Sequence, residues 1–340
     1  MQSITLSDRI EAFCALGTEI KALGVSVRNV VAEKARNENP WFTEESVVLA
    51  LKGIETLLKK EDLNSWAMSY SPEPAFSKTV GVAMAGNIPL VGFHDFLCVL
   101  ISGHRLKAKF SSQDSVLLKF IWQKLVEIEP RFLDYISFGE NLKGVDAMIA
   151  TGSDNTARYF EYYFRKIPHV IRKNRVSCAV IVGEEPHGEL EQLGKDVFSY
   201  FGLGCRNVSK LYVPEKFEFG NLFESWQNFG TVIDHAKYGN NYDYQKSILL
   251  LNQESFLDNG FILIKESSNL VSPIATLYYE KYKSQEDLKE KIEIQRQKLQ
   301  VVVSARGWYS GSVPFGKAQL PSVSEYSDNV DTMIFLQSLK

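Results

Sequence analysis

Apolar residues recur at helical spacing at the start of the chain, where Ile10, Phe13, Gly17, Ile20 and Leu23 share one face. Ser7 or Asp8 is the expected N-cap. A second helix is expected from Thr43 as cap through Val47, Leu51, Ile54 and Leu58, and Ser71-Pro72-Glu73-Pro74 then breaks the pattern. From Lys78 the period changes. Strands are predicted at 79–85, 105–110 and 146–150, alternating with helices at 93–102, 112–128 and 155–164. Strand and helix in this order predict a largely parallel sheet covered on both faces, with ligands expected at the loops that follow the strands.

A second α/β region is expected from about Ser177, with a strand at 178–182, a helix at 189–201 and the tight loop Gly202-Leu203-Gly204-Cys205. Further strands are predicted at 211–214, 261–265, 275–279 and 299–304, and the charged helix at 284–298 reads as a solvated face. The chain shows no internal repeat and no low-complexity tract. The expected division is 1–180, 181–312 and a C-terminal tail at 313–340, although no Gly/Pro/Ser linker marks the first boundary.

Composition changes this picture little. The 340 residues, 45% hydrophobic, 12% aromatic and 23% charged, suit two domains sharing an interface or one large α/β unit. A net charge of -3 gives no basic field for nucleic acid or an acidic membrane. The apolar stretch from Ile88 to Ile101 is short for a bilayer span and is interrupted by His94 and Asp95. The N-terminus lacks the basic and apolar regions of a signal peptide, so the cytoplasm is the expected location. Cys14, Cys98, Cys178 and Cys205 have neither zinc-knuckle spacing nor a disulfide framework. They predict no metal site, but three buried small hydrophobes and one reactive thiol.

Four segments hold candidate chemistry. In Gly202-Leu203-Gly204-Cys205-Arg206, two glycines permit a sharp turn that presents the thiol, and Arg206 would favour thiolate; the alternative is a helix end running into a strand with Cys205 buried. Asn87, in Ala85-Gly86-Asn87-Ile88-Pro89, can offer its amide to an oxyanion or simply occupy a turn. Thr151, Gly152 and Ser153 suit a phosphate at a helix N-terminus, against plain capping by Ser153 or Asp154. Lys107 and Lys109 alternate on a strand, where one ammonium can meet a ribose or phosphate or face solvent. There is no Gly-x-Gly-x-x-Gly, no Walker A loop and no nucleophile-elbow serine to serve His94 and Asp95.

In order and spacing these segments resemble the aldehyde dehydrogenase superfamily, and more closely its LuxC-type fatty acyl-CoA reductase branch. The resemblance runs from about Lys78 to the C-terminus, through 86–95, 150–153, 201–206 and the tail from Phe315 to Asp331. It implies an α/β, aldehyde dehydrogenase-like fold: N-terminal helices with an NADP-binding Rossmann-like domain, then a catalytic domain carrying the cysteine nucleophile. It also implies Cys205 as nucleophile and Asn87, with the Cys205 backbone N–H, as oxyanion hole. Lys109 would meet the adenosine ribose, and Thr151, Gly152 and Ser153 the pyrophosphate.

Two departures from the superfamily pattern bear on chemistry. Members that hydrolyse their thioester carry a glutamate base in Glu-Leu-Gly-Gly-Lys; here the corresponding stretch is Ile171-Arg172-Lys173-Asn174-Arg175. That argues for reduction over oxidation to acid. NAD-preferring members have a glutamate three residues beyond the lysine, where this chain has Ser112, so a 2′-phosphate could approach Lys107 or Lys109 and NADPH is the expected cofactor. The glutamate that steadies the nicotinamide ribose is not evident near 269–273, although Glu266 lies close by. The expected function is reduction of an acyl-CoA, or acyl-carrier-protein thioester, to a fatty aldehyde. The alternatives are another aldehyde dehydrogenase-type reductase or oxidase, or a silent acyl-binding subunit. A homodimer and an acyl-transferring partner enzyme both stay open.

Overall fold

The computed structural model describes residues 4–70, 73–74, 76–152 and 154–339. The chain divides into two compact units, residues 1–174 with 321–340, and residues 175–320. The division falls a few residues before 180, where one strand ends and the next begins almost at once, which is why no linker composition marks it.

In the first unit, α1 (Leu6–Ala22), α2 (Val25–Glu38), α3 (Glu44–Leu57) and α4 (Lys60–Met68) precede the sheet. The N-cap of α1 is Thr5 rather than Ser7 or Asp8. Its hydroxyl accepts the Asp8 N–H while the Asp8 carboxylate accepts the Thr5 N–H, so Asp8 closes a capping box from inside the helix. Thr43 caps α3, accepting from the Ser46 N–H. Then follow β1 (Thr79–Ala83), α5 (Phe93–Ile101), β2 (Arg105–Lys109), α6 (Val116–Ile128), β3 (Ile136–Phe138), β4 (Ala147–Thr151), α7 (Asp154–Phe164) and β5 (His169–Arg172). Helix α6 starts later than its period predicts. Glu38 of α2 accepts the N–H groups of Ser115 and Val116 and the Ser115 hydroxyl, so the first turn is fixed from outside the helix.

The strands pair in the order β3-β2-β1-β4-β5, all parallel. The order reverses between β1 and β4, the switch point at which such sheets leave a crevice beyond their strand ends. Val80 and Val82 of β1, with Ala147 and Ile149 of β4, join the large core made with α1, α3, α5 and α6; Ala83, Met148 and Ala150 pack instead with Phe160 and Phe164 of α7. Both faces are covered, which accounts for the nearly continuous burial along β1 and β4.

The second unit runs β6 (Val176–Val180), α8 (His187–Phe198), β7 (Val208–Pro214), α9 (Gly220–Ser225), α10 (Ala236–Leu251), β8 (Leu257–Asp258), β9 (Leu263–Glu266), β10 (Thr276–Tyr282), α11 (Gln285–Gln295), β11 (Leu299–Ser304) and β12 (Val313–Pro314). Its sheet has the order β12-β11-β6-β7-β10-β9-β8, parallel except where β8 meets β9. Ala179, Leu211 and Val303 face α8 and Trp226, while Val180, Tyr212 and Val302 face Leu288 and Ile292 of α11. The chain then returns to the first unit, where α12 (Thr332–Gln337) lies. There the Trp66 indole donates to the Tyr326 hydroxyl at 2.7 Å and the Tyr70 hydroxyl to Asp331 at 2.8 Å. No helix among the described residues is long and apolar enough to cross a membrane.

Candidate functional site

Asn87 is exposed in the turn between β1 and α5. Gly86 beside it is required by close packing, since a Cβ there would stand 2.5 Å from the Ser111 hydroxyl oxygen. The Gly86 carbonyl accepts from the Asn39 side-chain amide at 3.1 Å. Further along the turn Leu90 adopts the left-handed region, φ 59°, and its N–H donates to Oδ2 of Asp114 at 2.7 Å. Asp114 is 1% exposed, and its Oδ1 has no hydrogen-bond partner among the described residues. Burial pushes its carboxyl up to about 7; the Leu90 N–H pulls it down and Glu38 pushes it further up. Sequence reasoning missed Asp114, because Ser-Ser-Gln-Asp-Ser reads as an ordinary capping turn.

Lys109 ends β2, and Ala83 lies in register with both Lys109 and Ala150. The Asn87 turn, Lys109 and Thr151-Gly152 therefore leave three adjacent strand ends. Ser112 is exposed in the turn after Lys109. The Gly152 N–H donates to the Arg172 carbonyl at 3.2 Å, so that donor is committed inside the sheet. Ser153 lies outside the described residues. Lys109 also lines a cavity of about 510 Å³, walled by Glu140 and Lys143 from the loop after β3, Tyr159 and Phe160 from α7, and Lys166. Of the predicted site residues, Lys109 alone belongs to this lining. Lys107 does not: its Nζ donates to the Lys143 carbonyl at 3.0 Å and ties that loop to β2. The aromatic spacing of Tyr159-Phe160 and Tyr163-Phe164 was the available signal for the α7 wall.

Cys205 belongs to the second unit and is half-buried. It precedes β7 rather than following a strand. Helix α8 ends at Phe198, and Tyr200, Phe201 and Gly202 then take φ of 51°, 57° and 79°, three left-handed residues in succession. Of the two glycines, Gly202 uses its freedom and Gly204 is not among the positive-φ residues; two aromatic residues carry the rest of the turn. Asn207 pins the loop: its Oδ1 accepts the Gly204 N–H at 2.8 Å, and its Nδ2 donates to the carbonyls of Asp196 at 3.1 Å and Ser199 at 2.7 Å. The Cys205 carbonyl accepts from the Ser177 hydroxyl at 3.0 Å, and Arg206 donates to the Ala318 carbonyl at 3.3 Å. Two of the other cysteines, Cys98 and Cys178, are buried and Cys14 is half-buried, so the expectation of three buried thiols fails for Cys14. Burial pushes the Cys178 thiol up to about 12 and raises those of Cys98 and Cys14 as well.

At the end of β5, Arg172 pairs in register with Thr151. Its guanidinium is buried, donating to Asp95 at 2.5 Å and to the Thr332 hydroxyl at 2.8 Å. The end of β5 thus carries a buried guanidinium tied to a carboxylate. In the second unit Glu266 closes β9 and accepts from the Tyr279 hydroxyl at 3.3 Å. Among the described residues no group of three or more His, Cys, Asp or Glu side chains could hold a metal ion.

No protein-family model matches the chain, and no curated protein matches it in sequence. Solved structures do match in shape. The NAD+ complex of an aldehyde dehydrogenase from Bacillus cereus aligns over 88% of this chain and 72% of its own, with a TM-score of 0.61 and 12% identity. The Mycobacterium tuberculosis aldehyde dehydrogenase complexed with NAD+ aligns over 88% and 73%, at 0.60 and 13%. An indole-3-acetaldehyde dehydrogenase complexed with NAD+ aligns over 94% and 74%, at 0.62 and 12%. The chain has an aldehyde dehydrogenase-like α/β fold: a parallel Rossmann-like unit and a second, largely parallel unit that carries Cys205.

Proposed function

We propose that the chain is an NADPH-dependent reductase of acyl-CoA thioesters, of the LuxC type, in which Cys205 carries the acyl group. The observation that carries this reading is the Cys205 loop, where a half-buried thiol follows three consecutive left-handed residues. Strain of that kind is held only where surrounding structure fixes it, and it gathers at reacting groups. The buried Arg172–Asp95 pair at the end of β5 favours reduction, because the carboxylate there is tied to a guanidinium rather than poised to activate water.

The cavity beside Lys109 suits the adenosine half of a dinucleotide: Tyr159 and Phe160 offer apolar ring surface, and Lys109, Lys143 and Lys166 offer cations for a 2′-phosphate. Ser112, exposed in the turn beyond Lys109, places no negative charge at that position. Glu140 shares the wall and would instead take the free ribose hydroxyls of NADH, so the preference is measured by comparing the two cofactors. Thr151, Gly152 and Ser153 would border the pyrophosphate; with the Gly152 N–H committed, side chains and the start of α7 must serve it. Bound there, NADPH supplies the hydride that the acyl-cysteine accepts.

Cys205 attacks the thioester carbonyl as thiolate, and CoA leaves as its thiol after protonation. Asn87 and the Cys205 N–H would stabilise the oxyanion, each lowering the barrier by about 3 kcal/mol. After hydride transfer the thiohemiacetal collapses, releasing aldehyde and restoring the Cys205 thiolate. The acyl donor is acyl-CoA or an acyl-carrier-protein thioester, reached directly or through an acyl-transferring partner.

The test is NADPH oxidation across a series of acyl-CoAs, with Cys205→Ala in parallel. The wild type should release one aldehyde and one CoA per NADPH, and the variant none while still binding NADPH. A CoA burst from Cys205→Ala would remove the cysteine from the mechanism. Saturable acyl-CoA binding without oxidation by the wild type would identify an acyl-binding subunit instead.

A further inference from the structure

Asp196 lies in α8, nine residues before the nucleophile candidate, and is 0% exposed. In sequence it looks like a surface carboxylate on the helix Glu-Leu-Glu-Gln-Leu-Gly-Lys-Asp, and the chemistry of the previous section makes no use of it. Its surroundings are specific. Oδ2 accepts the Gly316 N–H at 2.7 Å and Oδ1 the Ala318 N–H at 3.0 Å, so both oxygens close on one backbone turn. The carbonyl of Ala318 in turn accepts from the Arg206 guanidinium at 3.3 Å, and Arg206 is the residue after Cys205. By a second route the main-chain carbonyl of Asp196 accepts from Nδ2 of Asn207 at 3.1 Å, and Oδ1 of Asn207 accepts the N–H of Gly204, the residue before Cys205, at 2.8 Å. One residue thus reaches both neighbours of the thiol, each through a single intermediate.

We propose that Asp196 is a positioning residue for the Cys205 thiol, bracketing it between Gly204, held through Asn207, and Arg206, held through the Gly316–Ala318 turn. The idea rests on Cys205 being a nucleophile, which the previous section argues. The side-chain route exists in full only for the carboxylate. A carboxylate accepts two N–H groups strongly at once, whereas in the neutral acid one oxygen is a weaker acceptor and carries a proton that neither N–H can take. Burial pushes this carboxyl up to about 7, although the Gly316 and Ala318 N–H groups and Lys195 pull it down. Lys195 is the charged side chain that acts on it directly; its helix also carries His187, Glu189 and Glu191, Lys317 lies between Gly316 and Ala318 in the turn, and Arg206 on the nucleophile loop donates to the Ala318 carbonyl. The bracket therefore tightens as pH rises through about 7, the range in which a thiol begins to ionise.

The experiment is peptide-resolved alkylation of the full chain by iodoacetamide between pH 5.5 and 9, with folding checked by circular dichroism. In the wild type the Cys205 rate should show two titrations, one from the thiol and one near 7. Asp196→Asn should remove the step near 7 and slow Cys205 alkylation at pH 8 by about tenfold, as expected when a nearby cation is no longer held in place. Cys14, in the first unit, should be unaffected. Arg206→Gln should slow the same thiol, and the double variant should be no slower than the stronger single one, because the two lie on one route. If Asp196→Asn does not fold, the wild-type profile decides alone, and a single titration overturns the proposal. Unchanged rate and profile in a folded Asp196→Asn, or additive effects in the double variant, overturn it equally. None of these readouts involves turnover. If Cys205→Ala still reduces acyl-CoA, the nucleophile reading falls on that assay, while alkylation still reports whether Asp196 positions the thiol.

Discussion

In the first unit, the turn that carries Asn87 hangs on Asp114, which gives one oxygen to the Leu90 N–H and leaves the other without a partner. In the second unit, the loop that carries Cys205 is bracketed by Asp196, which gives one oxygen each to the N–H groups of Gly316 and Ala318. Both carboxyls are buried, and burial is the leading cause that lifts each to about 7. The difference lies in what the charge does locally. At Asp196 ionisation is needed to satisfy two donors; at Asp114 the donor is satisfied by either form. The same perturbation can mark a group that holds its neighbours or one that is merely costly to bury, and only the hydrogen-bond inventory separates the two.

The largest effect that tests this contrast is on stability. Asp196→Asn should cost roughly 2 kcal/mol in denaturant unfolding near pH 7.5, because one amide oxygen faces two N–H groups. Asp114→Asn should be neutral or stabilising at that pH, since its oxygen still accepts from Leu90 and the buried charge is gone. The pH dependence has a definite sign. Each carboxyl titrates near 7 when folded and at about 3.9 when unfolded. The folded chain therefore holds protons the unfolded chain has lost, and the stability each group contributes below about pH 4 is lost as pH rises through about 7. The advantage of Asp114→Asn should accordingly vanish toward pH 5. Equal destabilisation by the two variants at pH 7.5 would erase the contrast.

Next in size is the division of labour between the units. Lys109→Ala should weaken NADPH binding by roughly tenfold, as expected for one charge-assisted contact, while leaving Cys205 alkylation unchanged. Fluorescence titration of the cofactor and the alkylation assay read the two halves separately. A loss of thiol reactivity in Lys109→Ala would mean that cofactor binding and the thiol are coupled.

The smallest effect separates two reasons for glycine. Gly202→Ala should cost about 1 kcal/mol because of its torsion, and Gly202→Asn less, since asparagine tolerates the left-handed region. Gly86→Ala should fail through contact instead, and should be largely rescued by Ser111→Gly, which removes the atoms a Cβ would strike. Thermal melts of the single and paired variants distinguish torsion from crowding.

The alternation of strand and helix from Lys78 to Phe164 was legible because its signals are local: short apolar runs, helical faces and caps such as Thr43. Helix α10 was missed because its apolar residues lie all round it, Tyr238, Tyr242 and Leu249 inward and Tyr244, Leu250 and Leu251 outward. Helix α2 buries only Val31, Ala32 and Ala35 and leaves Val25, Val27 and Val30 exposed, so no face stands out. Strand β3 is three residues long, and β5 pairs only with β4, at the edge of the sheet. The Cys205 loop was found through its glycines, yet its left-handed run begins at Tyr200, a residue type with no propensity for it. Asp114, Asp196 and the Asp95–Arg172 pair were beyond reach for a common reason. Each looks like a surface charge until partners distant in the chain are brought against it.

The return of residues 321–340 to the first unit has a consequence for synthesis on the ribosome. Arg172 is bonded to a hydroxyl 160 residues further along the chain, and the whole second unit is translated in between. At about 5–20 residues per second, roughly ten to thirty seconds separate the emergence of the guanidinium from that of Thr332. Throughout that interval the nascent first unit carries a half-satisfied arginine at the end of β5 and an unroofed Trp66, while the second unit gains its last strand, β12, before Thr332 is made. The later-made unit is thus free to finish first, and the last residues of the chain complete the unit that was begun earliest.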